Sequence, residues 1–166
     1  LKILVFTEGT ILTHRDHIGL SREQIVELVK NIDHPLTKEY FADSAPIGKC
    51  VSKIQEWKQQ GATITYLTSR RDPEEIEAIR DVLTKYHFPE GELLFRKGQE
   101  TYGDVAEQAS PDLIVEDDCE SIGGKSEMTY PQIRPELKIR IKSVVVKEFG
   151  GIEHLPDSLI ELFNLR

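Results

Sequence analysis

The sequence predicts an α/β domain, a three-layer Rossmann-like parallel sheet with helices on both faces and little or no cap. Three observations lead there: five short apolar runs of β type, amphipathic stretches between them, and polar residues where the runs end. The runs are Leu1–Phe6, Ala62–Leu67, Leu93–Phe95, Leu113–Val115 and Ser143–Val146.

The intervening helices carry their own signals. Ser21 and Gln24 have capping-box spacing ahead of Ile25, Leu28 and Ile32, which predicts a helix over 21–32. Ile47, Val51 and Ile54 recur at helical spacing, with Pro46 as a first helical residue and Gly61 as a stop. Asp72, Pro73 and Glu75 give the clearest helix start, and Ile76, Ile79 and Leu83 form its buried stripe. Residues 101–109 read as a shorter helix ended by Ser110 and Pro111. Residues 137–141 stay open between a strand, from the alternation of Leu137, Ile139 and Ile141, and a helix started by Pro135 and Glu136.

At 166 residues the chain suits a single domain spanning 1–166. Residues 13–44 exceed a minimal strand-to-helix connection and are expected to form a small cap or lid insert; residues 125–142 are a second long excursion. A net charge of −8 argues against a nucleic-acid partner held through phosphates. No apolar run reaches membrane length and no signal-peptide pattern opens the chain, so the expectation is no membrane partner and a cytoplasmic location. Cys50 and Cys119 lack zinc or disulfide spacing and read as reduced thiols.

In open α/β sheets ligands bind outside the carboxyl ends of the strands. Here the first run leads into Thr7, Glu8, Gly9 and Thr10, the second into Thr68, Ser69 and Arg70, the third into Arg96 and Lys97, and the fourth into Glu116, Asp117 and Asp118. In this order they resemble the four signature motifs of the haloacid dehalogenase superfamily, over most of the chain. That family's first motif is an apolar strand, then Asp, any residue, Asp, Gly, Thr; the string here is LVFTEGTIL. Aligning the Gly-Thr pair sets Glu8 at the second aspartate and Phe6 at the first, so the nucleophile is missing. Successive strand side chains face opposite ways, so Thr7 cannot take its place beside Glu8 in a regular strand.

The resemblance implies roles for the rest. Thr68 would be the hydroxyl that holds a phosphoryl oxygen, and Lys97 the cation offsetting phosphate and carboxylates. Glu116 and Asp117 would be the acidic motif that holds magnesium. The resulting expectation is a catalytic set of Glu8, Thr68 and Lys97, a phosphate set of Gly9, Thr68, Ser69 and Lys97, and a weak magnesium set of Glu8, Glu116 and Asp117. Each has a plainer reading: Thr68 and Ser69 as a turn, Lys97 as a solvated lysine, the three acids as an exposed loop. His14, Asp16 and His17 read as a polar surface turn, and Trp57 and Tyr102 as core aromatics.

Without an attacking oxygen at Phe6, phosphoaspartate catalysis is not expected. The leading expectation is a binder of a small phosphorylated molecule or a protein, retaining a magnesium and phosphate pocket. The alternative is a magnesium-dependent phosphohydrolase or phosphotransferase that uses a metal-bound water, with Glu8 as base. A receiver domain fits less well, because its acidic pair belongs at the first strand.

Overall fold

The computed structural model describes residues 1–165. Five parallel strands form the central sheet: β1 (Lys2–Phe6), β4 (Thr63–Leu67), β5 (Glu92–Leu94), β6 (Leu113–Asp117) and β7 (Lys142–Val146). Their order is β5-β4-β1-β6-β7, which puts β1 at the centre and the reversal of strand order between β1 and β6. Pairing is in register at the carboxyl ends, with Phe6 opposite Leu67 and Asp117 opposite Val146.

Strand alternation assigns the sheet's two faces. Ile3 and Val5 join Ile64, Tyr66, Leu113 and Val115 on one side, where α3 (Cys50–Gln59), α4 (Pro73–Lys85) and α7 (Leu159–Phe163) pack. Leu4, Phe6 and Ile114 face the other side, covered by α5 (Tyr102–Ala109) and by Ile133 and Ile141. Ile3, Leu4 and Val5 are wholly buried, and each such side chain contributes about 1.5–3 kcal/mol. The architecture is thus the three-layer, helix-flanked parallel sheet read from the sequence.

Residues 13–44 fold as a small appendage: β2 (Leu12–His14), α1 (Arg22–Lys30) and α2 (Lys38–Ala42), closed by β3 (Ser44–Pro46) pairing antiparallel with β2. The Ser21–Gln24 capping box forms in both directions. Its buried residues are Ile25 and Val26, whereas Leu28 is exposed, so the stripe is rotated by about one position from the Ile25–Leu28 spacing. Pro46 does not start a helix. The pairing of β3 with β2 takes Pro46 into a strand edge, where the missing N–H costs nothing, and α3 begins at Cys50. Gly61 does end α3, with a φ of 97° that a side chain would strain.

Asp72 caps α4 by accepting from the N–H groups of Glu74 and Glu75. Between β6 and β7, two short 3-10 turns and α6 (Pro135–Lys138) run across the α5 side. The Pro135 helix start prevails over the alternation, and Ile139 stands exposed just past the helix end. No described helix is long and apolar enough to cross a membrane.

Candidate functional site

A cleft of about 830 Å³, including the solvent at its mouth, opens at the carboxyl ends of β1, β4 and β6. The appendage supplies one wall through His14, Val29, Leu36 and Tyr40, and the sheet's ends supply the floor through Phe6, Glu8, Ser69, Arg70 and Asp117. Phe6 and Glu8 both line it, while Thr7 is buried with its hydroxyl donating to the Leu67 carbonyl at 3.1 Å. Thr7 thus stays out of the cleft, although past the end of β1 its hydroxyl also reaches the Glu8 carboxylate.

Glu8 is the centre of a hydrogen-bonded cradle. Its carboxylate accepts from the Thr68 hydroxyl at 2.5 Å and the Ser69 hydroxyl at 3.2 Å, and from the Thr7 hydroxyl and the Ser69 N–H. Arg70 Nε lies 3.7 Å from it. Thr68 is fully buried and also accepts the Arg70 N–H at 3.2 Å. Glu8, Thr68 and Ser69 thus converge, and the donors expected to hold a phosphoryl group hold the chain's own carboxylate.

Arg70 is held in turn. It stacks over Phe41 at 4.3 Å, donates to the Ser69 hydroxyl at 3.0 Å and approaches Glu75 at 3.7 Å. Phe6 meets Tyr102 edge to face, with ring centroids 5.3 Å apart. Burial pushes the Tyr102 hydroxyl up to about 12, so it stays a neutral donor. Tyr102 is therefore both a core aromatic, as expected, and a wall of the cleft.

Asp117 forms the second polar centre. It accepts from the Thr10 hydroxyl at 2.7 Å and the Cys119 N–H at 2.9 Å. Burial first, then the charges of Glu148 and Glu116, push its carboxyl up to about 6. Gly9, at φ 84°, brings the β1 loop against it: a β-carbon there would stand 2.9 Å from Asp117 Oδ2 and 3.2 Å from Glu148 Cγ. Only glycine fits that approach without displacement.

Two expected residues lie elsewhere. Glu116 turns to the opposite sheet face from Asp117, where its carboxylate accepts the N–H groups of Thr129 at 2.5 Å and Tyr130 at 2.9 Å. It pins the β6–β7 excursion, and one residue's step along a strand is why it cannot join Asp117. Lys97 is exposed near Phe95 and Glu100, outside this cleft. Its neighbour Arg96 turns inward instead, 3.9 Å over the Tyr102 ring and bonded to the Ser69 carbonyl.

One residue went unread in the sequence, and two were read differently. Glu148 is buried two positions past β7, accepts from the Ser121 N–H at 2.6 Å and its hydroxyl at 2.7 Å, and lines the cleft. The strand-end rule, applied to the fifth strand as to the other four, finds it. His14 and His17 also line the cleft rather than a surface turn, His14 stacking on Tyr40 at 4.5 Å. Burial and then His14 hold His17 below the usual histidine range, while it shares a hydrogen bond with Thr13 at 2.9 Å.

The magnesium set Glu8, Glu116 and Asp117 does not fit an ion. Glu116 is held by the Thr129 and Tyr130 N–H groups away from the cleft lining, Glu8 is enclosed by hydroxyls, and Phe6 offers no oxygen. The carboxylates that do approach one another are Asp117, Asp118 and Glu148, with one oxygen from each inside 4.8 Å. Lys147 already neutralises Asp118 at 3.0 Å.

No family model matches the chain, and no curated protein matches it. Among solved structures, a chain of the Pnkp1/Rnl/Hen1 RNA repair complex is 15% identical, with a TM-score of 0.54, over 88% of this chain and 43% of that one. A chain of a Pnkp1/Rnl/Hen1 complex is 12% identical with a TM-score of 0.49, over 89% of this chain and 46% of that one. This chain therefore spans less than half the length of either. At that identity the first likeness supports the α/β fold alone.

Proposed function

We propose that this is a haloacid dehalogenase-like domain that binds a small molecule in the cleft and performs no phosphoaspartate chemistry. The observation that carries the reading is Phe6, whose ring faces the cleft from the end of β1 and rests edge-on against Tyr102. Phosphoaspartate chemistry needs a carboxylate oxygen at that strand end, and a phenyl ring supplies none. The cleft otherwise has the character of a ligand site, with apolar walls and a few convergent polar groups. Its chain-internal residues bind and orient: Ser69 and Arg70 fix Glu8, and Thr10 fixes Asp117. No magnesium step belongs to this reading.

The test is hydrolysis of an aryl phosphate with and without magnesium. The expected result is no turnover above the uncatalysed rate. Wild-type turnover that vanishes in Glu8→Ala and survives Phe6→Leu would replace this reading with a water-based hydrolase.

A further inference from the structure

Of the six Phe, five Tyr and one Trp in the chain, Phe6, Tyr40, Phe41, Tyr102 and Phe149 line this one cleft. Among the described lining residues, Arg70 is the one Lys or Arg, and its charge is matched by Glu8 and Glu75. The buried carboxylates of Asp117 and Glu148 line the same space, held by hydrogen bonds from Thr10, the Cys119 N–H and Ser121, and among the described residues no Lys or Arg pairs with either. The nearest ion pairs, Arg70 with Glu8 and Lys147 with Asp118, leave both of them out. Buried charge is normally paired, so an unmatched acidic end in an open cleft calls for a cation from outside the chain.

We propose that the cleft binds an organic cation, an ammonium group on an apolar or aromatic body, with its charge against Asp117 and Glu148. The body lies among Phe6, Tyr40, Tyr102 and Phe149. Ring quadrupoles favour a cation at close range, a role Arg96 already fills at Tyr102, which leaves Phe6, Tyr40 and Phe149 for the ligand. This deepens the ligand-binding reading above and rests on it. A phosphorylated ligand meets the reverse conditions: Glu8 fills the hydroxyl and N–H donors that would hold its phosphate, and two further carboxylates repel it. A divalent metal keeps several waters in its shell, and aromatic walls give those waters no acceptors. The apolar body explains the rest of the cleft, because Val29, Ile32, Leu36 and Ile122 extend the walls beyond the reach of a bare ion.

The experiment is titration calorimetry of the whole chain with phenethylamine, phenethyl alcohol, phenyl phosphate and magnesium chloride. Phenethylamine is expected to bind at least about tenfold more tightly than the alcohol, and phenyl phosphate not at all. Glu148→Gln keeps an acceptor for Ser121 and is expected to weaken amine binding about tenfold. Tyr40→Leu, at a half-buried wall position away from the hydrogen-bonded centre, is expected to weaken it several-fold with an unchanged circular dichroism spectrum. Equal affinity for amine and alcohol, or amine binding indifferent to both substitutions, overturns the proposal. So does magnesium displacing the amine. Phenyl phosphate bound without hydrolysis overturns the ligand class and leaves the binding reading standing, whereas no response to any of the four probes overturns both.

Discussion

The Thr68 hydroxyl donates to Glu8 Oε1 at 2.5 Å, joining the ends of β4 and β1 across sixty positions of sequence. With the Ser69 N–H and hydroxyl and the Arg70 guanidinium beside it, the geometry is that of an anion cradle filled from within. Glu8→Ala empties it. The variant is expected to lose about 1–3 kcal/mol, because Thr68 is buried and its donor is left unpaired. Inorganic phosphate is expected to restore part of that loss in the variant and to leave the wild type unchanged. Thermal unfolding of both proteins with and without phosphate decides it, and a phosphate response of equal size in each would mean that Glu8 blocks nothing.

Asp117 gives stability a pH dependence whose sign follows from its surroundings. Burial raises its folded carboxyl from 3.8 to about 6, so the proton is held more tightly in the folded state. The stabilisation is full below about pH 4 and is lost as pH rises through about 6. Two units correspond to about 3 kcal/mol, and Asp117 is too buried for solvent to screen that away. Asp117→Asn has no proton to lose. Its stability relative to wild type is therefore expected to climb between pH 4 and pH 7, which parallel denaturant titrations would show. A constant difference across that range would place the Asp117 carboxyl in a solvated environment instead.

The fold was legible because the apolar runs, the Ser21 and Asp72 caps and the Gly61 stop are local signals, and local signals survive packing. Pro46 misled because its strand partner, Leu12, lies far away in sequence. The site was legible where a residue ends a strand and faces the cleft, as Glu8, Ser69 and Asp117 do, with Thr68 buried behind Glu8 and bonded to it. It was illegible where adjacent polar residues split between faces. Glu116 and Asp117 go opposite ways on β6, and the third strand ends before Lys97, letting Arg96 turn inward while Lys97 reaches solvent. Of the aromatic lining, Tyr40 and Phe41 come from the appendage, whose place over the cleft no local pattern encodes, while Phe6, Tyr102 and Phe149 come from β1, α5 and the segment after β7.

Glu116 and Lys97 now carry opposite expectations from the ones their motif positions imply. Glu116→Gln leaves one of two buried N–H groups, Thr129 or Tyr130, facing an amide NH₂, at a cost of about 1–3 kcal/mol. Amine binding in the cleft is expected to stay at the wild-type level in the fraction that folds. Lys97→Ala removes an exposed side chain and is expected to change stability by less than about 0.5 kcal/mol and binding not at all. Calorimetry on both variants checks this. A Lys97→Ala protein with impaired ligand binding would return the lysine to the site.

Gly9 is where backbone conformation and cleft chemistry meet, so Gly9→Ala probes both at once. Its φ of 84° strains any residue with a β-carbon, at about 1 kcal/mol for the backbone alone. The added methyl would also stand 2.9 Å from Asp117 Oδ2 and 3.2 Å from Glu148 Cγ, inside ordinary contact distance. Neither side chain is free to swing: Thr10 and the Cys119 N–H hold Asp117, and Ser121 holds Glu148. The loop itself is tied by the Phe149 N–H, which donates to the Gly9 carbonyl at 2.7 Å. The methyl therefore has to part the two carboxylates or lift the loop, and either movement disturbs the acidic end of the cleft. The expected outcome is a stability loss of about 2–3 kcal/mol, with phenethylamine affinity falling by about tenfold or more. Gly19 is the control, since it shares a positive φ of 88° but has nothing within 4 Å of its β-position. Gly19→Ala should show the backbone strain without the loss of binding, and equal binding losses at both positions would mean that the Gly9 effect comes from general destabilisation rather than from the carboxylates it crowds.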